Sequence, residues 1–365
     1  MKRFLCILLL LPLFVSKAYA ETDYAAIGDV FGVREMESPL QEEERRIAGQ
    51  LSVDGGYDSR GALNRLWTSF LRHCRAAVRE TLGLGTQLAA ILLCCSLGGT
   101  LIDDRKNQIW IELAGCSASC MLLVGSVNSL VAQTTDAIYR LSDYSRAALP
   151  VVFTAAAASG AVSSAAAKYA AISFALDVLM SLSQKCIIPL IDAYLAAVLA
   201  GSLFPNAFLS GAARFCKWTG GILMTGCTLV FTVYLSMTGI VSSALDAATV
   251  KTARTVISAT LPVIGGMIAD ASAAVLSAAG LVKSCAGVFG LIAVSAISIA
   301  PFAVMGVKSL VLKAVSVFAE ALDCPRFSTL YAGISSAVSM LMGLLGSCCI
   351  MLFLSLVSGM KAVNG

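Results

Sequence analysis

Charged residues are scarce in this chain of 365 residues. They make up 13% of it, against 58% for hydrophobic residues, and that balance excludes an ordinary soluble domain. Several apolar runs reach the roughly 20 residues that a helix needs to cross the hydrocarbon of a bilayer. The short alternating strands of a membrane barrel are absent. We therefore predict an all-α, polytopic transmembrane helical bundle with about seven or eight spans.

Groups that support catalysis are also rare. The chain has one histidine, His73, so a histidine-based catalytic group has no constellation to join. Asp177 and Asp192 are the closest approach to a paired-carboxylate hydrolase, but no motif surrounds them. The sequence contains no GxxxxGK[ST] loop, so we do not expect the chain itself to use ATP. We predict no enzymatic activity and no cofactor.

Cysteine is plentiful, with 13 residues, yet nearly all of them lie inside apolar runs. In such runs cysteine acts as a small packing residue. Cys116 and Cys120 share one helix face, but a zinc site needs four nitrogen or sulfur ligands and no histidine is near. The sequence therefore predicts neither a disulfide framework nor a metal site.

The N-terminus has the pattern of a secretory signal. Met1-Lys2-Arg3 precedes an apolar segment from Phe4 to Val15, and Ala18-Tyr19-Ala20 fits a cleavage site. We predict that residues 1–20 are a signal peptide cleaved after Ala20; a retained membrane anchor is the alternative. Removing it leaves 23 of the 26 basic residues against 22 acidic ones, which gives no case for nucleic-acid binding.

Two extramembrane elements are expected next. Residues 21–59 are polar and form a predicted extracytoplasmic segment with the acidic run Glu42-Glu43-Glu44. Residues 60–81 have apolar residues at helical spacing and arginines mostly on the other face, which predicts an amphipathic helix. This helix either lies in the membrane interface just before the first span or packs on a partner or on the chain's own polar segment.

Residues 82–365 form the predicted multi-span membrane domain. The region from Tyr169 to Phe204 is either a helix pair or one span with a re-entrant piece. The expected spans are Leu82–Ile102, Leu113–Ala132, Ala147–Ala167, the Tyr169–Phe204 region, Trp218–Leu245, Thr255–Val282, Cys285–Val307 and Thr329–Val357.

An internal repeat is predicted from landmarks that recur at a constant offset of 112 residues. Its copies are about residues 113–224 and 225–357. An odd number of spans in each copy would invert the second copy, and an even number would keep the copies parallel. The recurring landmarks are Leu149-Pro150-Val151 with Leu261-Pro262-Val263, Pro189 with Pro301, Arg214-Phe215 with Arg326-Phe327, and Gly221-Ile222 with Gly333-Ile334.

Polar groups in apolar segments are the candidate functional residues, because each is costly in the membrane unless it is paired or hydrated. Asp270 is the deepest, and it follows Gly265-Gly266, where a helix can be interrupted. The alternative is that Asp270 only fixes helix packing. Asp246, Lys251, Arg254 and Lys283 are further candidates, with anchoring at the membrane interface as their alternative. Candidate positions for helix breaks or close packing are Pro150, Pro189, Pro262, Pro301, Gly265 and Gly266.

Four stretches together resemble one known family. They are LPVVFTAAAASGAVSSAA from Leu149, KTAR at Lys251–Arg254 after Asp246, LPVIGGMIADA from Leu261, and LVKSCAGVFGL at Leu281–Leu291. They resemble stage III sporulation protein AE of endospore-forming bacteria. The resemblance implies a multi-pass protein of the outer forespore membrane, made in the mother cell, in a channel-like apparatus joining mother cell and forespore. It also implies partners: other membrane proteins and a separate cytoplasmic ATPase.

Two functional hypotheses follow. The first is a non-enzymatic structural component of a conduit, which fits the signal, the polar segment and the small-residue helices. The second is a transporter or permease with a substrate pathway at the repeat interface, which fits the proline and glycine interruptions and Asp270.

Overall fold

The computed structural model describes residues 32–49, 57–101, 105–159, 162–204, 206–260 and 265–360, and the side chains of residues 238–278 lie outside this description. A short 3-10 turn, Val33–Met36, precedes eight α-helices in these ranges, which contain no strand. The helices are α1 (Glu42–Ala48), α2 (Ser59–Thr100), α3 (Arg105–Ala158), α4 (Val162–Leu182), α5 (Ile188–Leu203), α6 (Ala207–Thr260), α7 (Gly265–Ala321) and α8 (Pro325–Met360).

Six stretches of the described residues are long and apolar enough to cross a bilayer, which confirms the all-α polytopic prediction. They are Ser59–Gly99, Gln108–Ala158, Ala165–Leu203, Ala207–Met237, Ala279–Ala321 and Pro325–Met360. The centre of the bundle is α7 with α8. In their apolar windows 72% and 56% of the residues are buried, against 17% in the windows of α2 and α6. The last two helices of the chain are therefore the core on which the others pack.

Several of the helices are much longer than a bilayer is thick. With 54 residues in α3 and 57 in α7, a rise of 1.5 Å per residue gives lengths of about 80 Å, against about 30 Å of hydrocarbon. One crossing therefore leaves most of each helix outside the hydrocarbon. This explains how one helix can contain both an apolar span and a charged extension.

Two expected spans, Leu113–Ala132 and Ala147–Ala167, were wrongly predicted to be separate helices. The structure joins residues 105–158 in one helix, α3. The polar stretch between the expected spans, residues 133–146, contains no glycine or proline to end a helix. Pro150, expected in a first helical turn, lies inside α3, where it removes the hydrogen bond to the carbonyl of Arg146.

Other helix boundaries also differ from those expected from the sequence. The predicted amphipathic helix over residues 60–81 is the first half of α2 and runs unbroken into the first span. The expected span Thr255–Val282 is divided between α6, which ends at Thr260, and α7, which begins at Gly265. Trp218–Leu245 is likewise one part of the longer helix α6. Helical periodicity located these apolar runs, but it did not show where the helices begin and end.

The predicted helix breaks have different outcomes. A π-helical turn, Ser183–Ile187, directly precedes α5, and Pro189 lies in the first turn of α5. Pro301 instead lies inside the continuous helix α7, while Gly265 and Gly266 are the first two residues of that helix. Pro262 lies outside the described residues.

The internal repeat stays a prediction. Helix α5 ends at Leu203 and α6 begins at Ala207, whereas α7 ends at Ala321 and α8 begins at Pro325. An offset of 112 residues does not align these helix ends without a gap.

Candidate functional site

The polar N-terminal segment forms a docked element, which we call the strap (residues 32–49). Its helix α1 begins with a capping box, in which the backbone N–H of Gln41 donates to Glu44 Oε2 over 2.9 Å. Glu44 is 5% exposed, and its other oxygen accepts a hydrogen bond from Arg140 of α3. A buried carboxylate needs such partners, because an unpaired charge in the interior costs several kcal/mol. The Glu44–Arg140 pair therefore fixes the strap against the bundle.

Helix α2 holds the other side of the strap. Arg65 Nε donates to the carbonyl oxygen of Ile47 over 3.1 Å. His73 Nε2 lies 3.3 Å and Arg72 Nη1 lies 3.6 Å from Glu43 Oε1. The half of α2 that the sequence identified as amphipathic thus packs on the chain's own polar segment, which was one of the two expected alternatives.

Tyr57, between the strap and α2, adds a further contact. Its hydroxyl donates to the carbonyl oxygen of Ala48, and its ring meets Phe289 of α7 edge to face, with centroids 5.7 Å apart. Burial raises the pKa of the Tyr57 hydroxyl well above its usual range. The phenol therefore stays protonated and remains a hydrogen-bond donor at neutral pH.

A cleft of about 190 Å³, the N-terminal cleft, lies where the strap, α2, α3 and α7 meet. Its polar side is formed by Glu43, Glu44, His73, Asp136 and Arg140, and its apolar side includes Ile297 and Pro301. Because proline has no N–H, the carbonyl of Ile297 lacks its helical donor at this point. No set of three metal-ligating side chains occurs among the described residues.

Among the described residues, further ion pairs join different helices. Arg146 Nη2 of α3 lies 2.9 Å from Asp177 Oδ1 of α4, and both side chains are exposed. Lys308 of α7 is buried and lies 3.9 Å from Glu80 Oε1 of α2. Arg326 of α8 lies 3.2 Å from Glu112 Oε2 of α3. The charges of these long helices thus serve to tie one helix to another.

The five predicted polar candidates are not brought together by the described contacts. Asp246, Lys251 and Arg254 lie on α6 and Asp270 lies near the start of α7, but the side chains of these four residues are outside the description. Their roles stay predictions. Lys283 of α7 is only 4% exposed, and its role likewise stays a prediction.

Sequence reasoning missed the buried charges of Glu44 and Lys308 and the half-buried charge of Arg140. Glu44 belongs to an acidic run that we expected only to lie outside the bilayer. Arg140 lies in the polar stretch that we treated as a loop between two spans. The available signal was that this stretch contains no helix breaker, so its charges had to be placed on a helix and matched with partners.

These observations define the class of the protein: a polytopic helical membrane protein whose polar N-terminal segment docks on its own helices. The chain matches the family model of Stage III sporulation protein AE over residues 58–361, which is most of its length, and it therefore belongs to this family. The resemblance seen in the sequence is thereby confirmed.

A curated relative supports the same family. The chain is 26% identical over 292 residues to Stage III sporulation protein AE of Bacillus subtilis (strain 168), a match that covers 77% of this chain and 71% of that protein. No solved structure matches the chain.

Proposed function

We propose that this sporulation protein is a non-enzymatic integral membrane component of a channel complex between mother cell and forespore. In this proposal it is made in the mother cell and placed in the outer forespore membrane, where forespore development requires it. The family supports the sporulation role. The observation that carries the structural role is the placement of charge: the ion pairs Glu44–Arg140, Lys308–Glu80 and Arg326–Glu112, each with at least one buried or half-buried member, join different helices.

The proposed partners are the lipid bilayer, other membrane proteins of the complex and a separate cytoplasmic ATPase. Six candidate spans bring the chain into contact with lipid. The protein partners belong to the proposal. Helices that extend tens of ångströms beyond one bilayer provide surfaces on which such partners can assemble.

The test is a deletion of the gene in its host, complemented with variants. We expect deletion to leave engulfment complete and to abolish a late forespore-specific reporter, with the wild-type gene restoring it. Normal reporter activity in the deletion strain would contradict the proposal. Asp270→Asn separates the two hypotheses. For a structural component, any loss of reporter should accompany a lower protein level, whereas loss at an unchanged level would favour a transporter with Asp270 in its pathway.

A further inference from the structure

Helix α2 has two apolar faces. One face, with Ala62, Leu66 and Ala77, is buried in the bundle. The opposite face, which we call the outer face, consists of Trp67, Leu71, Arg75, Val78 and Leu82. At 100° per residue these five side chains fall within one narrow arc of the helix. The four apolar members are 48%, 38%, 41% and 53% exposed in chain order.

From the charge pattern of α2 we place the hydrocarbon after Glu80, so the bilayer does not reach most of this face. The uncharged part of α2 begins after Glu80, whose side chain is 74% exposed. Because α2 is unbroken from Ser59 to Thr100, Trp67 lies about 22 Å along the helix axis before Leu82. Even with a tilt of 40° the separation along the membrane normal is about 17 Å, which exceeds the headgroup layer of about 5–8 Å. Trp67 and Leu71 therefore lie in water unless a protein covers them.

The charges on and beside the outer face indicate its partner. Arg75 lies within the face and Arg79 lies next to it, and both are exposed. Neither forms an ion pair with another described residue. Apolar side chains at helical spacing combined with arginines are complementary to a helix that presents apolar and acidic residues along one side.

We infer that the outer face of α2 is the docking site for an acidic, amphipathic helix of a partner protein. Trp67 and Leu71 supply the apolar contact, since aromatic side chains bury a large area at low entropic cost. Arg75 and Arg79 pair with acidic residues of the partner helix. These pairs fix the orientation of that helix and favour an acidic partner over others. This inference rests on the proposed role in a complex.

The first experiment asks what covers Trp67 in the isolated protein. The full chain with Trp110→Phe and Trp218→Phe retains Trp67 as its single tryptophan. We expect its fluorescence in nanodiscs to be quenched by acrylamide and not by brominated lipid. Quenching by brominated lipid would assign the face to the bilayer. Protection from acrylamide in the purified protein would assign it to the chain's own segments or to a second copy. Either result would overturn the inference.

The second experiment tests the partner in sporulating cells. Arg75→Glu combined with Arg79→Glu should lower the forespore reporter about tenfold or more at an unchanged protein level, because it replaces attraction by repulsion. The matched control is Lys313→Glu, a reversal of another exposed basic residue, which should leave the reporter near wild type.

Suppressors of the double reversal identify the occupant. We expect changes from an acidic residue to lysine or arginine in another protein. Suppressors confined to this chain, or a double reversal without effect, would overturn the inference. If the deletion abolishes the reporter while the double reversal does not, the docking site fails and the proposed function stands.

Discussion

At the scale of single residues, burial decides how much an ion pair contributes to the stability of the folded protein. Glu44 and Arg140 have side-chain exposures of 7% and 21%, whereas Arg146 and Asp177 have 67% and 59%. Water screens the second pair, so it contributes little, while the loss of Arg140 leaves a buried carboxylate without its partner.

Arg140→Ala should therefore lower the free energy of unfolding by about 2–3 kcal/mol, whereas Arg146→Ala should cost less than about 1 kcal/mol. Thermal unfolding of the purified protein in detergent measures both. Addition of Glu44→Gln to Arg140→Ala should recover part of the loss, because the buried charge is then gone. Equal costs for the two arginine variants would contradict this account of the strap.

Glycine at one position in α3 is required for close packing. A Cβ on Gly115 would overlap Cys95 Sγ of α2 and come within 2.8 Å of Phe327 Cζ of α8. Gly125 of the same helix has no neighbour within 4 Å of such a Cβ.

Gly115→Ala should destabilise the protein by about 1–3 kcal/mol through overpacking. In the matched control, Gly125→Ala should be neutral or stabilising by up to about 1 kcal/mol, because alanine is the better helix former. Unfolding in detergent provides the comparison. A Gly115→Ala variant as stable as Gly125→Ala would show that α2, α3 and α8 do not meet as described.

At the scale of elements, the continuity of α2 is the main departure from the sequence-based expectation. Spin labels at Asn64 and Leu97, both exposed, should be about 50 Å apart if the helix is unbroken. Double electron–electron resonance measures this distance. Labels at Met121 and Tyr139 of α3, expected at about 27 Å, serve as the reference. A distance much shorter than 50 Å for the α2 pair would favour a separate helix lying in the membrane interface.

The sequence was sufficient for the helical class and for the apolar runs, because composition and run length determine both. The sequence did not determine where the helices begin and end. Residues 133–146 look like a loop by polarity, yet their charges are accommodated on α3 by Glu44 and Asp177, which are distant in sequence. The burial of Lys308 was missed for the same reason. Its partner Glu80 is on another helix, and a single sequence does not show that the two residues are close in space.

At the scale of the whole molecule, the exposed positions lie at two levels along the bundle. Asn64 and Asp143 are at the level of the strap, since Arg65 and Arg140 both contact α1. Leu101 and Phe204 are at the other level, where Gln108 donates to the carbonyl of Gly99 over 2.9 Å and Cys120 lies 3.5 Å from Ser202.

Single-cysteine variants, made in a protein whose native cysteines have been replaced, should reveal on which side of the membrane each position lies. With a thiol reagent that does not cross the membrane, Asn64→Cys and Asp143→Cys should be labelled from one side, and Leu101→Cys and Phe204→Cys from the other. Met121→Cys, at an exposed position in an apolar run, should resist the reagent because lipid covers it. Labelling of Asn64→Cys and Asp143→Cys from opposite sides would contradict one continuous α3 with the strap at its charged centre.

The strap also imposes an order on biogenesis. Its helix α1 is among the first elements to leave the ribosome, but the cleft wall at Pro301 is translated about 250 residues later, which takes about 12–50 s at 5–20 residues per second. Until then the surface against which α1 packs is incomplete. Its final docking is therefore an event that follows synthesis and insertion of α7, so a protected strap would mark a chain whose membrane assembly is complete.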